Sequence, residues 1–204
     1  MALRQLTYLG NPVLRACAAP LAAFDTEELR DLARDMGETM RAFRGVGLAA
    51  PQVGVSRRLI AFWVPDERAE IEGDAAAVPL HILANPEITP LSPETELGLE
   101  GCLSLPGVRG LVPRYIHIGY RGFDVTGKLI EREACGFHAR VVQHEVDHLN
   151  GIMYLDRMDD FTSLTHEYEM RRRMQREAEE AADAESKVKN EAAAAAAPEQ
   201  GVEI

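Results

Sequence analysis

Residues 144–148 read His144-Glu145-Val146-Asp147-His148. On a helix, side chains four residues apart leave the same face, so His144 and His148 can hold one cation between them. Glu145 then sits beside the cation without binding it. Such a carboxylate can take a proton from the attacking water and later deliver it to a leaving amine, the general-base use associated with this pattern. Taken alone, the five residues also fit two surface histidines on a charged helix. A catalytic metal usually takes three protein ligands and keeps one position open, so a third ligand must come from elsewhere in the chain.

Cys102 is the first candidate for that ligand. It lies in Glu100-Gly101-Cys102-Leu103-Ser104, a loop-like segment followed by Pro106-Gly107, where glycine lets the backbone approach a site closely. The other two cysteines, Cys17 and Cys135, have a blander explanation as small buried hydrophobes. Residue chemistry alone favours Cys102 over Cys135 only modestly. Amide hydrolysis also needs donors for the developing oxyanion, and preorganised amides serve better than water because they need not reorient. The side-chain NH2 of Gln52 and the backbone N–H of Leu103 could serve, although Gln52 by itself also reads as a solvated loop glutamine.

These residues require elements to position them. Asp25 and Thr26 offer capping oxygens, and Leu29, Leu32, Ala33, Met36, Met40 and Phe43 recur on one helical face. That helix is expected to stop at Gly45-Val46-Gly47, where glycine can adopt a left-handed conformation. Leu59 to Val64 and Leu80 to Leu83 read as strands joined by a polar, Ala-rich connection. Tyr115 to Phe123 and Lys128 to Glu133 flank Asp124-Val125-Thr126-Gly127 and read as an antiparallel hairpin. Phe137 to Leu149 carries Val141, Val142, Val146 and Leu149 at helical intervals, with Gly151 where the helix would stop. Together these elements support an α+β domain.

Beyond Asp156 the chain becomes charged, and from Ala178 it is dominated by Ala, Glu, Asp and Lys, with six consecutive alanines at Ala192 to Ala197. A frayed helix passing into disorder is expected there. The division that follows is a catalytic domain over 1–165 and a charged tail over 166–204. A net charge of −11 argues against a general nucleic-acid binder and leaves only the local patch Arg171, Arg172 and Arg173 for docking on an RNA-rich assembly. Three widely spaced cysteines do not form a disulfide framework and fit a reducing, cytoplasmic setting. The start lacks a basic stretch followed by an apolar core. No run approaches the ~18 apolar residues of a membrane span, so neither export nor insertion is expected.

Three segments of this sequence resemble the signature motifs of peptide deformylases. They are Gly45-Val46-Gly47-Leu48-Ala49-Ala50-Pro51-Gln52, Glu100-Gly101-Cys102-Leu103-Ser104 and Gln143-His144-Glu145-Val146-Asp147-His148, in the family's order and at similar separations. The resemblance runs from Leu9-Gly10-Asn11-Pro12 to Asp156-Arg157-Met158 and includes Leu105 to Gly110 and Val112-Pro113-Arg114. It implies antiparallel β-sheets packed around a central metal-binding helix. It also implies removal of the formyl group from the formyl-methionine that begins new polypeptides, with release of formate.

Residue by residue, the resemblance makes Cys102, His144 and His148 the metal ligands and Glu145 the acid/base. Gln52 and the Leu103 amide would stabilise the tetrahedral intermediate. One divalent ion per chain is implied, Fe2+ natively, with Zn2+, Ni2+ or Co2+ also able to occupy borderline-soft ligands of this kind. Val46, Gly101, Val141 and His144 would border the methionine pocket and Arg109 would lie along the peptide. Gly45 and Gly47 would let the nascent chain run extended along the loop backbone. For Val46, Val141 and Val142 core packing is an equal explanation. Asp147 and Arg114 are available to orient a ligand imidazole, and neither can be assigned from sequence.

Two departures stand out: His138, where the family more often has an aliphatic residue, and the tail after Glu177. His138 lies six residues before His144 and points away from the ligand face. In some deformylases the C-terminal helix docks on the ribosome; Arg171 to Arg173 with Arg176 could do so here, or could form a solvated face. Two other readings compete. A metallopeptidase shares His-Glu-x-x-His, but the thiolate ligand and the Gln52 loop discriminate against it. A non-catalytic paralogue should have lost some of Gln52, Cys102, His144, Glu145 and His148, and all are present.

Overall fold

The computed structural model describes residues 3–66 and 77–195, so most of the connection between the first two expected strands lies outside the described residues. The chain forms two compact units, 1–164 and 165–204. The first contains helix α1 (Glu27–Ala42), strands β1 (Gly47–Ala49), β2 (Leu59–Val64), β3 (Val78–Pro90), β4 (Thr95–Cys102), β5 (Leu105–Tyr115), β6 (His117–Phe123) and β7 (Leu129–Cys135), and helix α2 (Gly136–Leu149). A five-stranded sheet runs in the order β1-β2-β3-β6-β7, with each neighbouring pair antiparallel. Strands β4 and β5 pair with each other away from that sheet.

Strand β2 explains the layering. Its side chains alternate across the sheet. Leu59 and Ala61 join Leu29, Leu32, Met36 and Met40 of α1 on one face. Ile60, Phe62 and Val64 join Val142, Val146 and Leu149 of α2 on the other. A strand covered on both faces reads as a continuous apolar run, as Leu59 to Val64 does. The expected α+β architecture, antiparallel sheets around a central helix, is the one observed. Every residue of α2 from Val141 to Leu149 is buried, including the polar Gln143, His144, Glu145, Asp147 and His148.

The structure corrects several expected boundaries. Helix α1 is capped by Thr26, whose hydroxyl accepts from Leu29 N–H at 3.2 Å, but it does not end on a left-handed glycine. The left-handed residue is Arg44, at φ 56°. Gly45 N–H reaches Met40 O at 2.8 Å and Arg44 N–H reaches Arg41 O at 2.9 Å, the paired bonds of a Schellman termination. Gly45 and Gly47 serve another purpose, described below. Strand β3 extends well beyond Leu80 to Leu83, and Tyr115 belongs to β5 instead of β6. The turn between β6 and β7 is as expected: Asp124 accepts from Thr126 N–H at 2.8 Å and Lys128 N–H at 3.1 Å. Gly127 is left-handed there, at φ 88°. The segment expected to be loop-like around Cys102 is instead the tip of the β4/β5 hairpin.

In the second unit, helix α3 (Glu167–Ala195) continues past Val188, and residues 196–204 lie outside the described residues. Its arginines pair along the helix: Arg171 with Glu167 at 3.6 Å, Arg172 with Glu169 at 3.2 Å and Arg173 with Glu177 at 3.6 Å. Among the described residues no helix is long and apolar enough to cross a membrane.

His138 packs on the sheet face of α2. Its ring lies 5.8 Å from that of Phe62, and Nε2 is 3.3 Å from the Tyr120 hydroxyl. Burial, and then the charges of His81 and Arg132, push its pKa down from 6.5 to about 4. The unfolded chain therefore binds this proton more readily than the fold does. Stability linked to His138 is complete above pH 6.5 and is lost as pH falls toward 4. The loss is about 2 kcal/mol once partial exposure is discounted. Chemical denaturation of the wild type and of His138→Leu between pH 7 and pH 4 should show the wild type losing more stability; parallel curves would contradict this.

Candidate metal centre and active site

Cys102 is the last residue of β4, and the tight turn Leu103-Ser104 leads into β5, with Cys102 opposite Leu105. The turn directs Ser104 N–H back to the Cys102 sulfur at 3.4 Å. Helix α2 brings its two imidazoles to the same place. Their centroids are 4.9 Å apart with planes at 80°, and His148 Nε2 lies 3.3 Å from Cys102 Sγ. Ligand atoms of Cys102, His144 and His148 all fall within 4.8 Å of one another. A single ion with metal–sulfur and metal–nitrogen bonds of about 2.3 and 2.0 Å in tetrahedral array needs donors about 3.5 Å apart, so the cluster fits one metal ion. Burial raises the Cys102 thiol's pKa, but the two imidazoles, His148's charge first, outweigh it and hold the group well below its ordinary range. The thiolate is the form that binds metals.

His144 is oriented from behind. Its Nδ1 donates to Glu100 Oε2 at 2.8 Å, which leaves Nε2 for the site. Glu100 also accepts from Arg114, Nε to Oε1 at 2.8 Å and Nη2 to Oε2 at 3.0 Å, and from Arg140 Nη1 at 3.1 Å. Burial alone would raise the Glu100 pKa, but His144 and Arg114 hold it far below the carboxylate range. Arg114 further pairs with Asp147, and Asp147 with Arg157 at 2.7 Å. Arg114 and Asp147, both available in the sequence, thus stand one step behind the ligand. Glu100 is its direct partner and was not anticipated. The signal was present: Glu100 is two residues before Cys102, and alternate strand residues share a face.

Glu145 is buried beside the cluster of Cys102, His144 and His148, and its Oε2 has no hydrogen-bond partner among the described residues. Burial is the main reason its pKa is pushed up to about 7, with the imidazoles opposing. Gly47 accounts for the space it occupies. A Cβ there would lie on the Glu145 carboxylate, 2.6 Å from Cδ and 2.8 Å from Cγ. A Cβ at Gly45 would lie 2.9 Å from the Leu103 side chain. Gln52 is buried in the turn that follows β1; its Oε1 accepts from Ala49 N–H at 2.7 Å, so its NH2 faces Cys102 Sγ at 3.4 Å. Gly101 lies opposite Arg109 across the hairpin, with the Arg109 side chain 3.3 Å from where a Cβ would stand. Val141 is buried in the cluster between α2 and the sheet, and Val46 packs against the same cluster.

The centre is thus a cluster of three side chains that could hold a metal ion, with a buried carboxylate oxygen that has no partner among the described residues and an amide donor directed at it, an arrangement suited to hydrolysis of a carbonyl compound. A family model described as polypeptide deformylase matches residues 3–163. The chain belongs to the polypeptide deformylase family. Peptide deformylase 1 of Bordetella pertussis is 58% identical over 154 residues, covering 76% of this chain and 86% of that relative. A class I type b peptide deformylase from Acinetobacter baumannii, solved with Met-Ala-Ser bound, is 37% identical with a TM-score of 0.71, over 77% of this chain and 99% of that one. The peptide deformylase of Thermotoga maritima gives 38% and 0.69, over 78% and 100%. As a deformylase the chain is a metal-dependent hydrolase that removes the N-formyl group from nascent polypeptides.

The contact at Gly47 makes a sharp prediction. Gly47→Ala should displace the Glu145 carboxylate while leaving Cys102, His144 and His148 in place. Deformylase turnover should fall about 100-fold or more, the order that a positioned proton-transfer group contributes, with metal content unchanged. Wild-type turnover would show that the carboxylate tolerates displacement.

Proposed function

We propose that Cys102, His144 and His148 hold one divalent metal ion, Fe2+ natively and Zn2+, Ni2+ or Co2+ when supplied, and that Glu145 handles the proton in hydrolysis of formyl-methionyl nascent chains. The observation that carries this reading is the buried Glu145 oxygen, without a partner among the described residues, next to the thiolate-bis-imidazole cluster. When bound, the ion supplies positive charge that polarises the formyl oxygen and acidifies the attacking water.

The remaining steps belong to the protein. Glu145 takes a proton from the water as its oxygen attacks the formyl carbon. Gln52 Nε2–H and Leu103 N–H donate to the oxyanion that develops; Gln52 is preset because its carbonyl is held by Ala49 N–H. When the C–N bond breaks, Glu145 returns the proton to the departing amine, leaving formate and a free amino terminus. A raised carboxylate pKa suits both halves of that exchange. Val46, Gly101 and Val141 would border the methionine side chain. Arg109 would lie along the peptide, and the side-chain-free Gly45 and Gly47 would admit its extended backbone. We assign catalysis to residues 1–165, acting in the cytoplasm, and treat 166–204 as a charged extension.

Glu145→Ala should abolish formate release from a formyl-Met-Ala peptide, by a factor of about 100 or more, yet bind as much metal as the wild type. Substantial turnover by a metal-loaded variant would overturn the acid/base assignment. A subsidiary part of the proposal is ribosome contact through Arg171, Arg172, Arg173 and Arg176, although the first three already face glutamates of their own helix. Truncation before His166 should then weaken co-sedimentation with ribosomes, and this part fails if binding is unchanged.

A further inference from the structure

Arg140 lies one helical turn before His144, in the segment Phe137-His138-Ala139-Arg140 that the catalytic reading leaves without a role. Its guanidinium reaches across to the hairpin. Nη1 donates to Val112 O at 2.8 Å and to Glu100 Oε1 at 3.1 Å, with Gly98 O at 3.5 Å, and Nη2 donates to Glu96 O at 2.8 Å. The acceptors lie on β4 and β5, so one side chain of α2 holds both strands of the hairpin. Gly98 is the seat: a Cβ at this position would land on the guanidinium, 2.6 Å from Nε. Arg140 is nearly buried, its side chain 11% exposed.

This connection bears on the metal because its ligands come from the two elements that Arg140 joins. Cys102 ends β4, whereas His144 and His148 belong to α2. Glu100 is the shared point: one oxygen takes Arg114 and Arg140, the other takes Arg114 and His144. Removing Arg140 would leave one of these four positions empty and release Glu96 O and Val112 O from the helix, whose remaining bonds to the hairpin backbone are between Gln143 and Tyr115 at the far end of β5.

We propose that Arg140 is a positioning residue for the metal centre: it clamps the thiolate-bearing hairpin to the imidazole-bearing helix and completes the bonding of Glu100, which orients His144. The proposal rests on Cys102, His144 and His148 being the ligands. Its effect passes through Glu100 and through the spacing of the two elements, and Arg140 itself touches no reacting atom. An arginine is suited to the task because its planar fork can serve several acceptors at once, which a lysine ammonium on a flexible stem does less well.

The test is the rate at which metal leaves Zn2+-loaded protein to a chromogenic chelator, measured for wild type, Arg140→Leu, Arg140→Lys, Glu100→Gln and the Arg140→Leu/Glu100→Gln double variant. Loss of a group that orients a ligand commonly costs about 10- to 100-fold in metal affinity. Arg140→Leu should therefore release metal roughly tenfold faster, Arg140→Lys should recover part of that, and the double variant should be little worse than Glu100→Gln alone. A wild-type release rate in Arg140→Leu, or multiplicative effects in the double variant, would overturn the proposal. Gly98→Ala, which displaces the guanidinium without removing it, gives a second route if Arg140→Leu does not fold, and it too should speed release. A wild type that binds no stoichiometric metal would instead defeat the ligand assignment on which the proposal stands.

Discussion

The structure depends on keeping one carboxylate charged inside the protein. Glu100 is 5% exposed, and an unpaired charge at that depth would cost several kcal/mol. It is tolerated because both oxygens are occupied, by two guanidinium groups and one imidazole. That requirement fixes much else. Arg114 must also be buried, and it draws Asp147 into α2; Asp147 then takes Arg157 near the surface. The imidazole of His144 is held with one nitrogen committed and the other free for the site. A set of charges that would be unfavourable singly thus becomes a rigid support for the proposed ligand His144.

A second constraint is room. Gly45, in the loop between α1 and β1, and Gly47, at the start of β1, pass so close to the hairpin tip and to α2 that a Cβ at either would displace the Leu103 or the Glu145 side chain. The same need places Gly98 under Arg140. What glycine supplies at these positions is the absence of a Cβ and not a left-handed backbone, which in the first loop only Arg44 adopts. The result is a centre in which Gly47 and Ala49 of β1 fix the Glu145 carboxylate and the Gln52 amide, while Glu100 of β4 orients His144.

Much of this was legible in the residues. The i, i+4 histidines announced two imidazoles on one helical face, and Leu59 to Val64 announced a strand, although the burial of the helix and the covering of both strand faces came only with the fold. The β4/β5 hairpin was not legible because its pattern is inverted. Leu97, Leu99 and Leu111 are 58%, 40% and 39% exposed, while Glu100 and Arg114 point inward. Gly98, Gly101, Gly107 and Gly110 further weaken a strand signal. Arg44 was missed for a related reason: two glycines stood nearby, and local preference favours them, but the close approach of Leu103 and Glu145 had already claimed both positions. Glu100 could have been found by strand parity once β4 was known, whereas Arg140 required the tertiary structure, since its acceptors lie 28 to 44 residues away in sequence.

The central claim is that one metal ion, held by Cys102, His144 and His148, is needed for deformylation. Formate release from a formyl-Met-Ala peptide by anaerobically prepared protein, with bound metal quantified on the same sample through stepwise chelation and re-addition of Fe2+ or Ni2+, tests it most directly. Activity should fall in proportion to the metal removed, reach zero when one ion per chain is gone, and return on re-addition. Release that persists in metal-free protein, or its absence from fully loaded protein, would contradict the account.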